Sequence, residues 1–145
     1  MKIGIANDHR GVTTKQELLS YLEELGYKVV NYGTDSSESV DYTDYAFKVG
    51  EELISKKIDS GVLICGTGIG MSIAANKVPG VRCAKVDNVW EAEMTRIDND
   101  ANIIALGHRK DIEELKEILK VFLSTSKSEE ERHVRRVNMI DEYNG

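Results

Sequence analysis

Apolar and polar positions run along this chain in two rhythms. Short apolar runs bounded by polar or glycine residues predict strands, and apolar residues three or four apart predict helices. Ile3-Gly4-Ile5-Ala6 reads as the first strand. Leu18, Leu22 and Leu25 mark one face of a helix that Gly26 stops. Tyr27 to Val30 is a second strand, and the serine-rich stretch Thr34 to Val40 is a polar loop. A helix over Thr43 to Lys57 aligns Phe47, Gly50 and Ile54. Strands follow at Gly61 to Cys65 and, after the Pro79-Gly80 turn, at Val81 to Val86. Val89 to Arg96 reads as helix and Asn102 to Leu106 as a fifth strand. Ile112, Leu115, Ile118, Leu119 and Phe122 give a strongly amphipathic helix. After a polar break at Ser124 to Lys127, Val134, Val137 and Ile140 line one side of a last, highly charged helix over about residues 128–143.

Strands that alternate with helices imply an α/β fold, a doubly wound parallel sheet of five strands. Ligands of such sheets bind at the carboxyl ends of the strands. The polar groups predicted there are Asp8-His9, the turn after Cys65, Asp87-Asn88 and Gly107-His108-Arg109. The final helix extends past the sheet, and its apolar strip calls for a partner surface, so it is expected to cross to a neighbouring subunit.

Length and charge narrow the picture. The chain has 145 residues, which suits one domain, residues 1–145, with a real core. The net charge of −6 argues against nonspecific binding to nucleic acid or to an anionic membrane. There is no long apolar span and no signal-like start. Cys65 and Cys83 have no zinc spacing and read as reduced thiols of a cytoplasmic protein. Cys83 is expected in the core, and His108 and His133 on the surface.

Candidate chemistry centres on Cys65-Gly66-Thr67-Gly68-Ile69-Gly70-Met71-Ser72. A strand end delivers a thiol, and a glycine turn then exposes amides at the start of a helix. Such a turn can cradle an anion and favour the thiolate. A base beside an oxyanion site suggests an enzyme, although a cysteine closing a buried strand is also common. Gly66-x-Gly68, with Asp87 about 20 residues on, also begins a dinucleotide fingerprint, but Gly70 misplaces the third glycine. Asp8 and His9 are candidates on the same rim. Arg132 and Arg136, four apart on one helix face, form either a phosphate clamp with Arg109 or a solvated basic face.

Several blocks, in order, resemble those of ribose-5-phosphate isomerase B, a family shared with the galactose-6-phosphate isomerase subunits. They are Ile5-Ala6-x-Asp8-His9, Ser39 to Tyr42, Ile64 to Lys77, Asn99 to Asn102 and Arg132-His133-x-x-Arg136. The resemblance implies a Rossmann-like sheet and a homodimer or tetramer with sites at the interface. It implies reversible aldose–ketose isomerisation of a sugar phosphate with no cofactor and no metal. Carried over by position, Cys65 moves the proton between C1 and C2. Thr67, Gly66, Gly68, Gly70 and Ser72 hold the enediolate. Asp8 and His9 bind sugar hydroxyls or phosphate, Asn99 supports the intermediate, and Arg109, Arg132 and Arg136 hold phosphate.

Several positions depart from the family pattern: Asp98, Arg10, and the segment of Lys85 and Asp87-Asn88-Val89-Trp90, which is unlike the usual one. Asp98 stands where a ring-opening histidine is usual. A carboxylate with an ordinary pKa is a poor acid near neutrality. It can act as a base on the anomeric hydroxyl or bind a differently oriented hydroxyl; otherwise His9 or water opens the ring. Arg10 stands where a small residue is usual, and it narrows or recharges the pocket. These changes leave other sugar phosphates, such as those of allose or galactose, and a non-catalytic partner subunit as alternatives.

Overall fold

A computed structural model describes residues 1–143. Among them five strands alternate with helices: β1 (Lys2–Asn7), α1 (Val12–Glu24), β2 (Lys28–Asn31), α2 (Tyr42–Ile54), β3 (Ser60–Cys65), α3 (Ile69–Ala75), β4 (Cys83–Lys85), α4 (Val89–Asn99), β5 (Ile103–Gly107), α5 (Ile112–Ser124) and α6 (Glu131–Glu142). The strands form one parallel sheet in the order β2-β1-β3-β5-β4. The predicted doubly wound α/β architecture is therefore present.

The sheet is covered on both faces. One layer of core joins Leu18 and Leu22 of α1, Ala92 of α4 and Leu115, Ile118, Leu119 and Phe122 of α5. The other joins Ala46, Val49 and Leu53 of α2 to Met71, Ala74 and Ala75 of α3. Central strands sandwiched this way lose the polar–apolar alternation, and β3 is buried at all six positions. The chain leaves β1 toward one face and β3 toward the other. These adjacent strands thus define the switch point, where a crevice opens at the carboxyl rim.

Local sequence explains where elements stop. Tyr27 N–H donates to the Leu22 carbonyl at 3.1 Å and Gly26 N–H to that of Glu23 at 3.0 Å. This is a Schellman closure, with Gly26 at φ +94°. It sets Leu25 outside: 41% of it is exposed, and Tyr27 packs on the core in its place. Asn88 and Asp111 cap α4 and α5 by accepting from the amides of Glu91 and Glu114.

The buried face of α2 differs from the predicted one. Ala46, Val49, Gly50 and Leu53 point inward, whereas Phe47 and Ile54 are exposed. Close approach selects the small residues. A Cβ on Gly50 would stand 3.0 Å from Val78, and one on Gly61 would stand 2.7 Å from Val49. The larger apolar side chains are left on the outer flank.

Strand β4 is shorter than predicted, and it lies at the sheet edge, so Cys83 is half-buried instead of central. Helix α6 docks on its own subunit. Arg82 reaches Asp141 at 2.7 Å, and His133 Nε2 stands 3.4 Å from Asp98 Oδ1 on α4. Val134 and Val137 line the cleft between these helices, so part of the strip expected to seek a partner faces α4. Ile140 and Met139 remain largely exposed.

Candidate functional site

The switch-point crevice gathers the first cluster of predicted residues. Asp8 N–H donates to the Ile64 carbonyl at 3.0 Å, and His108 N–H to the Cys65 carbonyl at 3.0 Å. The exits of β1, β3 and β5 are thereby tied together, with Cys65 between them. The Cys65 thiol is buried, and its Sγ accepts the Gly68 amide at 3.1 Å. An N–H aimed at sulfur stabilises the thiolate over the thiol.

The glycine turn must be glycine where it is tightest. Gly68 has φ +82°, and a Cβ there would meet the Leu106 backbone at 3.0 Å. Within the turn, Thr67 Oγ1 accepts the Ile69 amide at 3.1 Å, which leaves its hydroxyl proton free to donate outward. Ser72 does the reverse. Its hydroxyl donates to the Ile69 carbonyl at 2.7 Å, so its remaining capacity is as an acceptor. The amides of Gly70 and Met71, in the first turn of α3, have no acceptor among the described residues.

Asp8 and His9 sit across the crevice. Asp8 is buried, and its Oδ1 accepts the Arg10 amide at 3.0 Å, which holds the short turn before α1. His9 Nδ1 accepts the Val40 amide at 3.2 Å. A backbone amide can only donate, so Nδ1 carries no proton and Nε2–H is the donor that His9 offers. Arg10 extends over the turn. Its Nη1 lies 3.4 Å from where a Gly66 Cβ would stand. Arg109 leaves the same rim from the end of β5. Neither arginine has an acidic partner among the described residues.

Asp98, Asn99, Arg132 and Arg136 are not brought to this cluster. In a parallel sheet, α4 runs back from the carboxyl rim to the start of β5, so its last residues lie at the amino rim. There Arg82 Nε donates to the Asn99 carbonyl at 3.1 Å, and the Asn99 side chain takes the Thr95 hydroxyl at 3.0 Å. Strand β3, six residues long, separates the rims by about 16 Å. Arg132 pairs with Glu130 at 2.9 Å, and Arg136 has no ion pair among the described residues. Asp87 also stands apart from the crevice, near Lys85 and Lys110 at 3.7 and 3.6 Å.

Two features escaped sequence reasoning. His133 is buried, not on the surface, and faces Asp98. Its Nδ1 and His108 Nε2 are both buried without a hydrogen-bond partner among the described residues. Isolated histidines carry no periodic signal that would reveal this. Tyr42, the residue after Asp41 at the start of α2, lays its ring against Gly70. A Cβ there would meet its Cζ at 2.7 Å. Burial alone pushes the Cys83 thiol up to about 12. No helix among the described residues is long and apolar enough to cross a membrane.

A family model described as Ribose/Galactose Isomerase matches residues 3–140. The chain belongs to the ribose/galactose isomerase family. Ribose-5-phosphate isomerase B of Escherichia coli is 40% identical over 140 residues, 96% of this chain and 93% of that protein. The solved structure of Clostridium thermocellum ribose-5-phosphate isomerase B superposes with a TM-score of 0.94 at 45% identity, covering 98% of this chain and 96% of the other. The type B ribose 5-phosphate isomerase of Trypanosoma cruzi gives a TM-score of 0.94, also at 45% identity, with 97% and 96% covered. Membership makes this chain a sugar phosphate isomerase, an enzyme that interconverts an aldose and a ketose.

Proposed function

We propose that the enzyme interconverts ribose 5-phosphate and ribulose 5-phosphate through an enediolate in the cytoplasm, needing no metal or cofactor. The observation that carries this reading is the Gly68 amide on Cys65 Sγ, 3.1 Å away at the switch-point crevice. The Cys65 thiolate takes the C2 proton of the open-chain aldose. The electron pair forms the C1–C2 double bond, and negative charge moves to the carbonyl oxygen. Cys65 then returns the proton to C1, and a hydroxyl proton moves between O2 and O1. Charge develops on an oxygen close to the base, so donors are needed there. The Thr67 hydroxyl and the Gly70 and Met71 amides, which have no acceptor among the described residues, fill that role, with Gly68 and Gly70 giving close backbone approach. Ser72 and Asp8 accept from sugar hydroxyls, and the Nε2–H of His9 donates to a sugar hydroxyl or to the phosphate.

The phosphate then needs cations and the intermediate needs Asn99. Arg109 is on the carboxyl rim, while Asn99, Asp98, Arg132 and Arg136 stand about 16 Å away at the other. A second copy supplies them, which makes the working enzyme a homodimer, or a tetramer made of two such dimers, with each site shared. A phosphate held far from the reacting carbons uses its binding energy to fix their geometry. The final helix then serves two subunits, docking on one and presenting arginines to the other.

A second reading is favoured by Arg10 and Asp98. The guanidinium over Gly66 narrows the reacting end, and the carboxylate replaces a near-neutral acid–base group at the ring oxygen. Both favour a sugar phosphate of different size or stereochemistry. Assay of the purified protein on the 5- or 6-phosphates of ribose, allose and galactose separates the readings. The highest kcat/KM on ribose 5-phosphate supports the first. A preference of tenfold or more for a hexose phosphate supports the second. No activity on any of them points to a subunit that needs a second, different chain.

A further inference from the structure

Lys15, in the first turns of α1, is 1% exposed and is among the largest side chains that the fold buries completely. A charged ammonium is costly to bury unless its protons are all accepted. Here they are. Nζ donates to Asn31 Oδ1 at 3.4 Å, to the Thr34 carbonyl at 3.1 Å and to the Asp35 carboxylate. All three acceptors lie at the end of β2 and in the loop after it. Pairing with an exposed aspartate alone would not require burial, because a surface lysine could reach Asp35 from water. What burial adds is the backbone carbonyl of Thr34, fixed from beneath.

The same loop is held at a second point and ends on the site. Asn7 Nδ2 donates to the Thr34 carbonyl at 3.0 Å and to the Asp8 carbonyl at 2.8 Å. Gly33 abuts Asn7 so closely that a Cβ would lie 2.8 Å from the Asn7 amide nitrogen. The loop then stiffens itself: Thr34 Oγ1 accepts the Ser36 amide, and Ser36 Oγ accepts the Glu38 amide, both at 3.1 Å. At its far end Val40 N–H donates to His9 Nδ1 at 3.2 Å. A chain of contacts therefore runs from the buried ammonium, through Thr34 to Val40, to the imidazole.

We infer that Lys15 is a positioning residue for His9: it seats the loop over residues 33–40 so that the Val40 amide holds the imidazole in the tautomer protonated at Nε2. The role rests on the assignment of His9 to substrate binding. A ring free to turn or to change tautomer would present an acceptor where the substrate needs a donor. Lys15 itself touches no substrate.

The test uses the full-length protein and two readouts that need no substrate. In Lys15→Met, which fills the space without the charge, protection of the Val40 amide from hydrogen exchange should fall at least about tenfold. Long-range ¹H–¹⁵N spectra at neutral pH should show the His9 nitrogens moving from the Nε2–H pattern toward an average of both tautomers. KM should rise several-fold with little change in kcat. Val40→Pro deletes the donor and leaves Lys15 in place, and should reproduce the His9 signature. Asp35→Ala alters only an exposed side chain, and should weaken Val40 protection in part, so it replaces Lys15→Met if that variant does not fold. An unchanged Val40 amide in Lys15→Met, or in Asp35→Ala if that variant must stand in, would overturn the inference. So would a His9 tautomer unchanged in folded Val40→Pro. If the exchange and ring signals change as stated and the parent protein isomerises no sugar phosphate, the positioning role stands and the assigned function falls.

Discussion

Arg82 and Arg96 at one rim of the sheet and Arg10 and Arg109 at the other have opposite surroundings. At the amino rim, Arg82 donates to both carboxylate oxygens of Asp141, at 2.7 and 2.8 Å, and to Asp100. Arg96 holds Asp100 at 2.8 Å and also takes the carbonyls of Ala101 and Thr125. At the carboxyl rim, Arg10 and Arg109 have no acid within reach among the described residues, and the Gly70 and Met71 amides have no acceptor. Cations satisfied inside the chain hold elements together. Cations and amides left unsatisfied beside a buried thiol are available to an anion from outside. The contrast is chemical as well as geometric, since Cys65 receives an N–H while Cys83 is simply desolvated.

Removing the thiol should expose this contrast most strongly. Cys65→Ala should lower kcat by about a thousandfold, the usual weight of a positioned general base, and leave KM nearly unchanged. Steady-state kinetics decide it. Near-normal turnover would move the base to another group of the carboxyl rim. Cys83→Ala, by contrast, should leave kcat as it was.

The next test asks whether the free arginine of one rim serves the other rim of a second copy. Arg136→Ala should weaken sugar phosphate binding by about a hundredfold, as expected when a charge-assisted clamp is lost. Cys65→Ala and Arg136→Ala chains, unfolded together and refolded as a mixture, should regain about a quarter of the parent activity, because half of the dimers carry one intact site. No recovery from a mixture shown to contain heterodimers would mean that sites are not shared.

Asp98 offers a smaller effect. Asp98→His should raise kcat/KM on ribose 5-phosphate by about tenfold, short of the roughly hundredfold or more of a fully positioned acid–base group, while open-chain analogues react equally well with both forms. Loss of activity on every substrate would give the carboxylate an essential role of its own. Its neighbour His133, 3.4 Å away, makes that pairing the feature to watch.

The smallest effect lies on α2. Glu52 is held below its ordinary value of 4.5, first by the hydrogen bond from Lys48, then by that from Tyr32. A depressed carboxyl contributes stability that is fully present above 4.5 and lost as pH falls through its lower native value. Denaturant midpoints measured from neutrality down to acid should therefore fall less steeply in Glu52→Gln than in the parent. Parallel curves would show that the pair carries no linkage.

Much of this molecule could be read from local pattern. Each strand is an apolar run, Gly26 and Gly80 punctuate as expected, and residues 65–72 carry their chemistry contiguously. The inward face of α2 was less legible. Hydrophobic size points to Phe47 and Ile54, but the neighbouring surfaces at Val78 and Gly61 admit only the smaller set. Lys15 was not legible at all. A lysine among polar residues in the first turns of a helix has the pattern of a solvated position, and only the folded loop supplies its acceptors.

Local pattern is enough to establish which segments are strands and helices, where glycine geometry stops them, and that a thiol meets a glycine turn at a strand end. These are interactions over a few residues, encoded in periodicity, side-chain volume and the backbone freedom of glycine. Which rim each charge occupies is set by the folded arrangement. It set Arg82 between Asp100 and Asp141, buried Lys15 under residues 31–35, turned His133 toward Asp98 and separated Asp98, Asn99, Arg132 and Arg136 from Cys65. Those pairings join residues far apart in the chain, and their geometry follows from strand order and the direction of each crossover helix, which no local pattern contains.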